Sequence, residues 1–225
     1  MQLIVITSPD TVVQEAEKIN ALFEAGLEIL HIRKPNFSKK EYIYLIKRIK
    51  EEYHPKIKIH EFFELTGKYN LLGVHLNARN PNYTGRKVVN ISRSCHSIEE
   101  LKIKTKYDYV FLSPIFDSIS KEGYYAKYNN MILVNASKRR QINKKVIALG
   151  GIDRETLPIV KQYGFGGAAV LGSIWQEQPA AIRSYEGDSR EQYRKNKYPK
   201  SSRFRPLNDD ATDVVKNFLI LKSLL

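Results

Sequence analysis

Two glycine turns stand where backbone amides can be brought up to an anion. Leu149-Gly150-Gly151-Ile152 and Leu171-Gly172-Ser173-Ile174 each close a short apolar run. Glycine lets peptide N–H groups approach an oxyanion closely, and a helix starting there adds its dipole. Two such turns, one with a hydroxyl, predict a phosphate site; the plainer reading is that they reverse the chain. A third segment, from Ser113 to Lys121, offers the hydroxyls of Ser118 and Ser120 and the Lys121 ammonium within four residues. On composition alone it reads as a solvated, serine-rich loop. His31-Ile32-Arg33-Lys34 ends another run, and the period of two in a strand puts His31 and Arg33 on one face. A cation there can hold a phosphate or diphosphate, or Arg33 can pair with Glu61.

Other chemistry-bearing residues say less. His60, His75 and His96 fall at or beside strand ends, but their spacing matches no zinc motif, and histidine-bound metal is not expected. Cys95 is the single cysteine. It excludes a disulfide scaffold and has no evident activating partner.

The elements that must carry these residues alternate. Gln2–Thr7 is a β-branched run, and Thr11–Ala25 then repeats apolar residues at helical spacing up to Gly26. Leu27–Arg33 is a second strand, and Ser38 caps a helix through about Glu52. Further strands are read at Lys56–His60, Leu72–Leu76, Lys87–Ser92, Asp108–Ser113, Lys145–Leu149 and Gly167–Leu171. Helices fall between them: a short turn at Phe62–Gly67, one around Leu101 opened by Ser97 and Glu100, then Asn130–Gln141 and Arg154–Tyr163. Tyr109–Leu112 and Ala168–Leu171 are apolar on consecutive residues, as in strands covered on both faces. Eight strands in this alternation predict an α/β fold, a single (β/α)8 TIM barrel. Its last helix is expected at Asp210–Leu224, burying Val214, Val215, Phe218, Leu219 and Leu221.

Between the eighth strand and that helix, residues 177–206 have no packing pattern. They read as a flexible basic insertion in an otherwise single domain spanning 1–225. Lys and Arg number 37 against 24 Asp and Glu in 225 residues, a formal charge of +13. That favours polyanionic partners without choosing among them. Part of the excess sits at 184–206, with seven basic and three acidic residues. Nucleic acid as partner is disfavoured beside small phosphorylated ligands. At 42% hydrophobic residues the chain can build a core, which excludes disorder. There is no apolar run long enough to span a membrane and no leader at Met1–Asp10, so a cytoplasmic protein is expected.

In order along the chain, the strand-end segments resemble those of the thiamine phosphate synthase and TenI family of small (β/α)8 barrels. The matching segments are Leu30-His31-Ile32-Arg33, Gly73-Val74-His75-Leu76, Ser92 to Ser97, Asp108 to Phe116, Leu149-Gly150-Gly151-Ile152 and Ala169 to Ser173. The likeness covers Gln2 to about Trp175 and the last helix. It implies a transferase, thiamine-phosphate diphosphorylase, which joins hydroxymethylpyrimidine diphosphate to a thiazole phosphate and releases diphosphate with Mg2+. By the same resemblance, Ser118, Ser120, Gly151 and Ser173, with Gly150 and Gly172, would cradle the thiazole phosphate. Arg33 and Lys121 would be the catalytic, diphosphate-facing cations. Ser94 would lie near the pyrimidine, His31 and His60 would be substrate-binding, and Glu61 and Asn80 would hold Mg2+.

The chain departs from the family pattern at several places. His31 replaces a glutamine, Pro35 a lysine, and His60-Glu61-Phe62 an Asn-Asp-Arg triplet. Asn77-Ala78-Arg79-Asn80 stands for Gly-Gln-Asp/Glu-Asp; an asparagine carbonyl can still ligate Mg2+, without a carboxylate's charge. His31 also resembles the TenI branch of thiazole tautomerases and non-catalytic thiazole-phosphate binders, although Pro114 occupies the place of the expected tautomerase histidine. Oligomeric state, homo-oligomer included, stays open.

Overall fold

The computed structural model describes residues 1–85, 90–117, 125–175 and 211–225. Eight parallel strands close into one barrel, in sequence order: β1 Gln2–Ile6, β2 Ile29–Ile32, β3 Ile57–Ile59, β4 Gly73–Leu76, β5 Asn90–Cys95, β6 Tyr109–Leu112, β7 Val146–Leu149 and β8 Gly167–Val170. Closure is made by β1 against β8, with Gln2 opposite Gly167 and Val5 opposite Val170. The helices outside it are α1 Glu15–Glu24, α2 Lys39–Arg48, α3 Leu65–Lys68, α4 Asn130–Lys138, α5 Leu157–Gln162 and α6 Gly172–Trp175, followed by the C-terminal helix Ala211–Lys222.

Local chemistry sets these limits. Ser38 and Glu41 form the reciprocal capping box that opens α2: Glu41 N donates to Ser38 Oγ, and Ser38 N donates to Glu41 Oε2. Gly26, at φ +91°, ends α1: its N–H donates to Phe23 O and that of Leu27 to Leu22 O. The C-terminal helix docks on this same turn, where Lys222 Nζ donates to Ala25 O and Gly26 O.

Several boundaries differ from the sequence expectation. The second helix stops at Arg48, where Ile49 and Lys50 turn to ψ 135° and 133°, and a separate 3-10 segment follows over Glu51–Lys56. The helix around Leu101 is a 3-10 segment, Glu99–Lys106. Strand five runs on to Cys95, three residues beyond the expected end, and its expected start at 87–89 lies outside the described residues. In the C-terminal helix Val214, Phe218 and Leu221 are buried, whereas Leu219 is 48% exposed. The basic segment 177–206 lies outside the described residues.

Most of the core lies between strands and helices, in one cluster from Leu3 to Leu221. Each fully buried Leu or Ile there contributes about 1.5–3 kcal/mol. The barrel interior is divided. Ile4, Ile6, Phe111, Ile147 and Ala169 give an apolar side from β1 and β6 to β8. The side built from β2 to β5 carries buried polar residues instead: His31, Lys58, His60, His75 and Ser92.

Candidate functional site

At the C-terminal end of the barrel a cavity of about 370 Å³ opens among the strand-end loops. One wall is made by Gly150 and Gly151 after β7 and Gly172 after β8; Arg79 follows β4, the strand opposite β8 in the closed barrel, and Arg33 follows β2, which only β1 separates from β8. Ser94, His96, Ser113 and Pro114 complete the side formed by β5 and β6.

Each wall is held by its neighbours. Gly150 and Gly151 take φ +102° and +63°, and a Cβ on Gly151 would stand 2.3 Å from Asp117 O. The turn therefore needs glycine to pack against the loop after β6, and the same residues still line the cavity. Ile115 N donates to Leu149 O and Phe116 N to Gly150 O, which ties the two loops together. Below the other turn, Trp175 Nε1 donates to Ile6 O at 2.7 Å and pins α6 to the end of β1. Ser173 Oγ, beside Gly172, is buried and has no hydrogen-bond partner among the described residues.

On the cationic side, Arg33 N donates to Thr7 Oγ1, and that hydroxyl donates back to Arg33 O. Lys34 turns the other way: its Nζ is buried, 2.6 Å from Glu15, and donates to Asp10 O. It is thereby removed from the cavity, and burial lowers its pKa against the pull of Glu15. Asn77 Oδ1 accepts from the backbone N–H groups of Arg79 and Asn80, and Asn80 Nδ2 donates to His60 O at 2.8 Å. This clip brings Asn80 next to the residue preceding Glu61. Glu61 Oε2 accepts from Lys34 N, while its Oε1 is buried with no hydrogen-bond partner among the described residues. Burial raises its pKa, opposed by the Lys34 N–H and by the charges of Arg33 and Arg79.

Of the residues singled out from sequence, Arg33, Ser94, Gly150, Gly151 and Gly172 line the cavity. Ser173 lies directly behind Gly172, and Glu61 with Asn80 lies at the end of β3. Ser118, Ser120 and Lys121 lie outside the described residues. His31 and His60 are enclosed in the barrel interior rather than among the lining residues. Arg79, His96 and Ser113 line the cavity without having been singled out from sequence as ligand-facing residues. Their common signal is position, since each lies within three residues of the end of its strand.

The interior histidines form a hydrogen-bonded stack. His31 Nδ1 is 2.9 Å from His60 Nε2, and His31 Nε2 is 2.6 Å from Tyr109 OH. His75 bridges Ser92 Oγ and Ser94 Oγ, each at 2.9 Å. Ring nitrogens of His31, His60 and His75 come within 4.8 Å of one another. His60 and His75 nevertheless stack face to face at 4.4 Å, and both nitrogens of His31 and of His75 are occupied. The Lys58 amine, over the Tyr109 ring at 4.1 Å, also opposes a cation. Burial pushes all three imidazoles well below the usual histidine range and Lys58 down to about 7. The stack stays neutral, and through Ser94 it supports the cavity floor.

The fold and its mouth cavity define the (β/α)8-barrel class, in which ligands are held by the loops at the C-terminal face. More narrowly, the chain belongs to the thiamine monophosphate synthase family, whose model matches residues 3–174. It is similar to the thiamine-phosphate synthase of Cronobacter sakazakii, 25% identical over 175 residues, covering 73% of this chain and 83% of that protein. The Lysinibacillus sphaericus thiamine-phosphate synthase is 30% identical over 134 residues, covering 57% of this chain and 62% of that protein. A crystal structure of thiamine phosphate pyrophosphorylase from Bacteroides thetaiotaomicron superposes with a TM-score of 0.78 at 40% identity, covering 100% of this chain and 97% of that one. The family binds phosphorylated thiamine precursors and is typically Mg2+-dependent. No helix among the described residues is long and apolar enough to cross a membrane.

Proposed function

We propose that this chain is a thiamine-phosphate synthase. In the proposed reaction the C–O bond between the pyrimidine methylene and its diphosphate breaks, and the diphosphate leaves with the electron pair. The thiazole nitrogen then forms the new C–N bond to the resulting pyrimidine cation. The observation that carries this reading is that one cavity is lined both by the glycine turns after β7 and β8 and by two arginines, Arg33 and Arg79, from other strand ends.

In this reading Gly150, Gly151, Gly172 and Ser173 receive the thiazole phosphate, together with Ser118 and Ser120. Ser173 Oγ is suited to it, because a buried hydroxyl without a partner has a hydrogen bond to give. Arg33 and Lys121 neutralise the departing diphosphate, and such charge stabilisation with positioning supplies most of the rate. Ser94 contacts the pyrimidine. Neutral His75 holds that hydroxyl in place, and His31 and His60 back it from beneath. The donors present would fit a weakly held Mg2+: Glu61 Oε1 is a buried carboxylate oxygen with no hydrogen-bond partner among the described residues, and the Asn80 side chain is tied to the carbonyl of the preceding residue, His60. When bound, the ion supplies further charge neutralisation on the phosphate oxygens. A thiazole tautomerase is the weaker reading, since Pro114 in the cavity wall carries no transferable proton.

The test is incubation of the protein with both phosphorylated precursors and Mg2+, measuring thiamine phosphate and released diphosphate. Stoichiometric appearance of both supports the synthase. Thiazole phosphate binding without turnover would replace it with a binder or tautomerase.

A further inference from the structure

We propose that Arg79 is a second guanidinium anchor for a diphosphate group, so that this cavity grips a diphosphate directly, with the divalent ion chelated away. The proposal deepens the synthase reading and rests on it only for the identity of the organic part of the ligand.

Arg79 and Arg33 line the same cavity from two different strand ends. No carboxylate is among the described residues that line it. Arg33 follows β2 and Arg79 follows β4, and these two strands flank β3 in the barrel. The loop beneath Arg79 is built to hold it there. Asn77 Oδ1 takes the N–H groups of Arg79 and Asn80 at 3.0 and 3.1 Å, Asn77 N donates to Asn80 O, and Asn80 Nδ2 ties the turn to His60 O. Arg79 is itself exposed.

Two planar donor forks suit a diphosphate. Each can bind phosphate oxygens bidentately, and together they match the multiple charge of the group better than one cation. In the synthase reading a monophosphate goes to the glycine turns after β7 and β8, which line the same cavity.

The experiment is calorimetric titration of the full chain with inorganic pyrophosphate in EDTA. The wild type, Arg79→Ala, Arg79→Lys and a charge control on an exposed residue of α2, Lys47→Ala, are compared, with thermal melts for folding. The expected result is measurable binding by wild type and Lys47→Ala, weakening of about tenfold or more in Arg79→Ala, and an intermediate loss in Arg79→Lys. Equal affinity in Arg79→Ala, a loss matched by Lys47→Ala, or wild-type binding only when Mg2+ is added would overturn the proposal. Because no turnover is measured, the two ideas fail separately. Pyrophosphate binding that depends on Arg79, in a protein making no thiamine phosphate, would leave Arg79 standing and remove the synthase.

Discussion

Thr7 and Arg33 exchange two hydrogen bonds through one hydroxyl: Arg33 N donates to Thr7 Oγ1 at 2.9 Å, and Thr7 Oγ1 donates to Arg33 O at 3.2 Å. Thr7 is fully buried, so the clamp is dry, and it fixes the backbone that carries the cavity's guanidinium. Thr7→Val keeps the shape and strands the Arg33 N–H. It is expected to lower unfolding stability by about 1–3 kcal/mol and to weaken pyrophosphate binding. Urea unfolding and calorimetry measure the two effects. Unchanged values in both would show that Arg33 is positioned by something else.

Ser173 makes the opposite kind of prediction. Its hydroxyl is buried and unpartnered, so Ser173→Ala removes a polar atom that the fold does not use. Stability should hold or rise slightly, while affinity for thiazole phosphate drops about 5- to 20-fold. Melting temperature and binding titration on the same preparation separate the two. A loss of stability with unaltered affinity would make Ser173 a structural residue.

The interior stack sets a pH dependence. Burial holds the imidazoles of His31, His60 and His75 well below their value in the unfolded chain. Below about pH 6.5 the unfolded chain therefore takes up protons that the folded one refuses, and stability falls as pH drops. Lys58 acts between about 7 and 10.5: there the folded amine is neutral and the unfolded one charged, so stability rises with pH. Its Nζ has no hydrogen-bond partner. Lys58→Met should flatten that alkaline rise and stabilise the protein at pH 7 by about 1–3 kcal/mol. A less stable Lys58→Met at pH 7 would mean that the amine's contact with the Tyr109 ring outweighs its desolvation.

The barrel was legible because β-branched runs such as Gln2–Ile6 and the consecutive apolar residues of Tyr109–Leu112 carry a local signature. The end of strand five was not. Ser92 and Ser94 face the interior polar network there, so the apolar pattern stops before the strand does. The glycine turns and Arg33 could be read from residue type at strand ends. The histidine stack could not, because His31, His60 and His75 come from three strands and only barrel register brings them together. Lys34, next to Arg33, points away from the cavity to Glu15. Arg79 sits on a loop with no periodicity, and its meaning depends on the Asn77 clip and the cavity it overlooks.

A synthase of this kind must receive two anionic partners at once in one cavity. Titrating the protein with thiazole phosphate, and then titrating that complex with inorganic pyrophosphate, tests it most directly. One equivalent of each should bind together, with Ser173→Ala weakening only the first and Arg33→Ala only the second. Displacement of one ligand by the other, or binding of neither, would contradict the account.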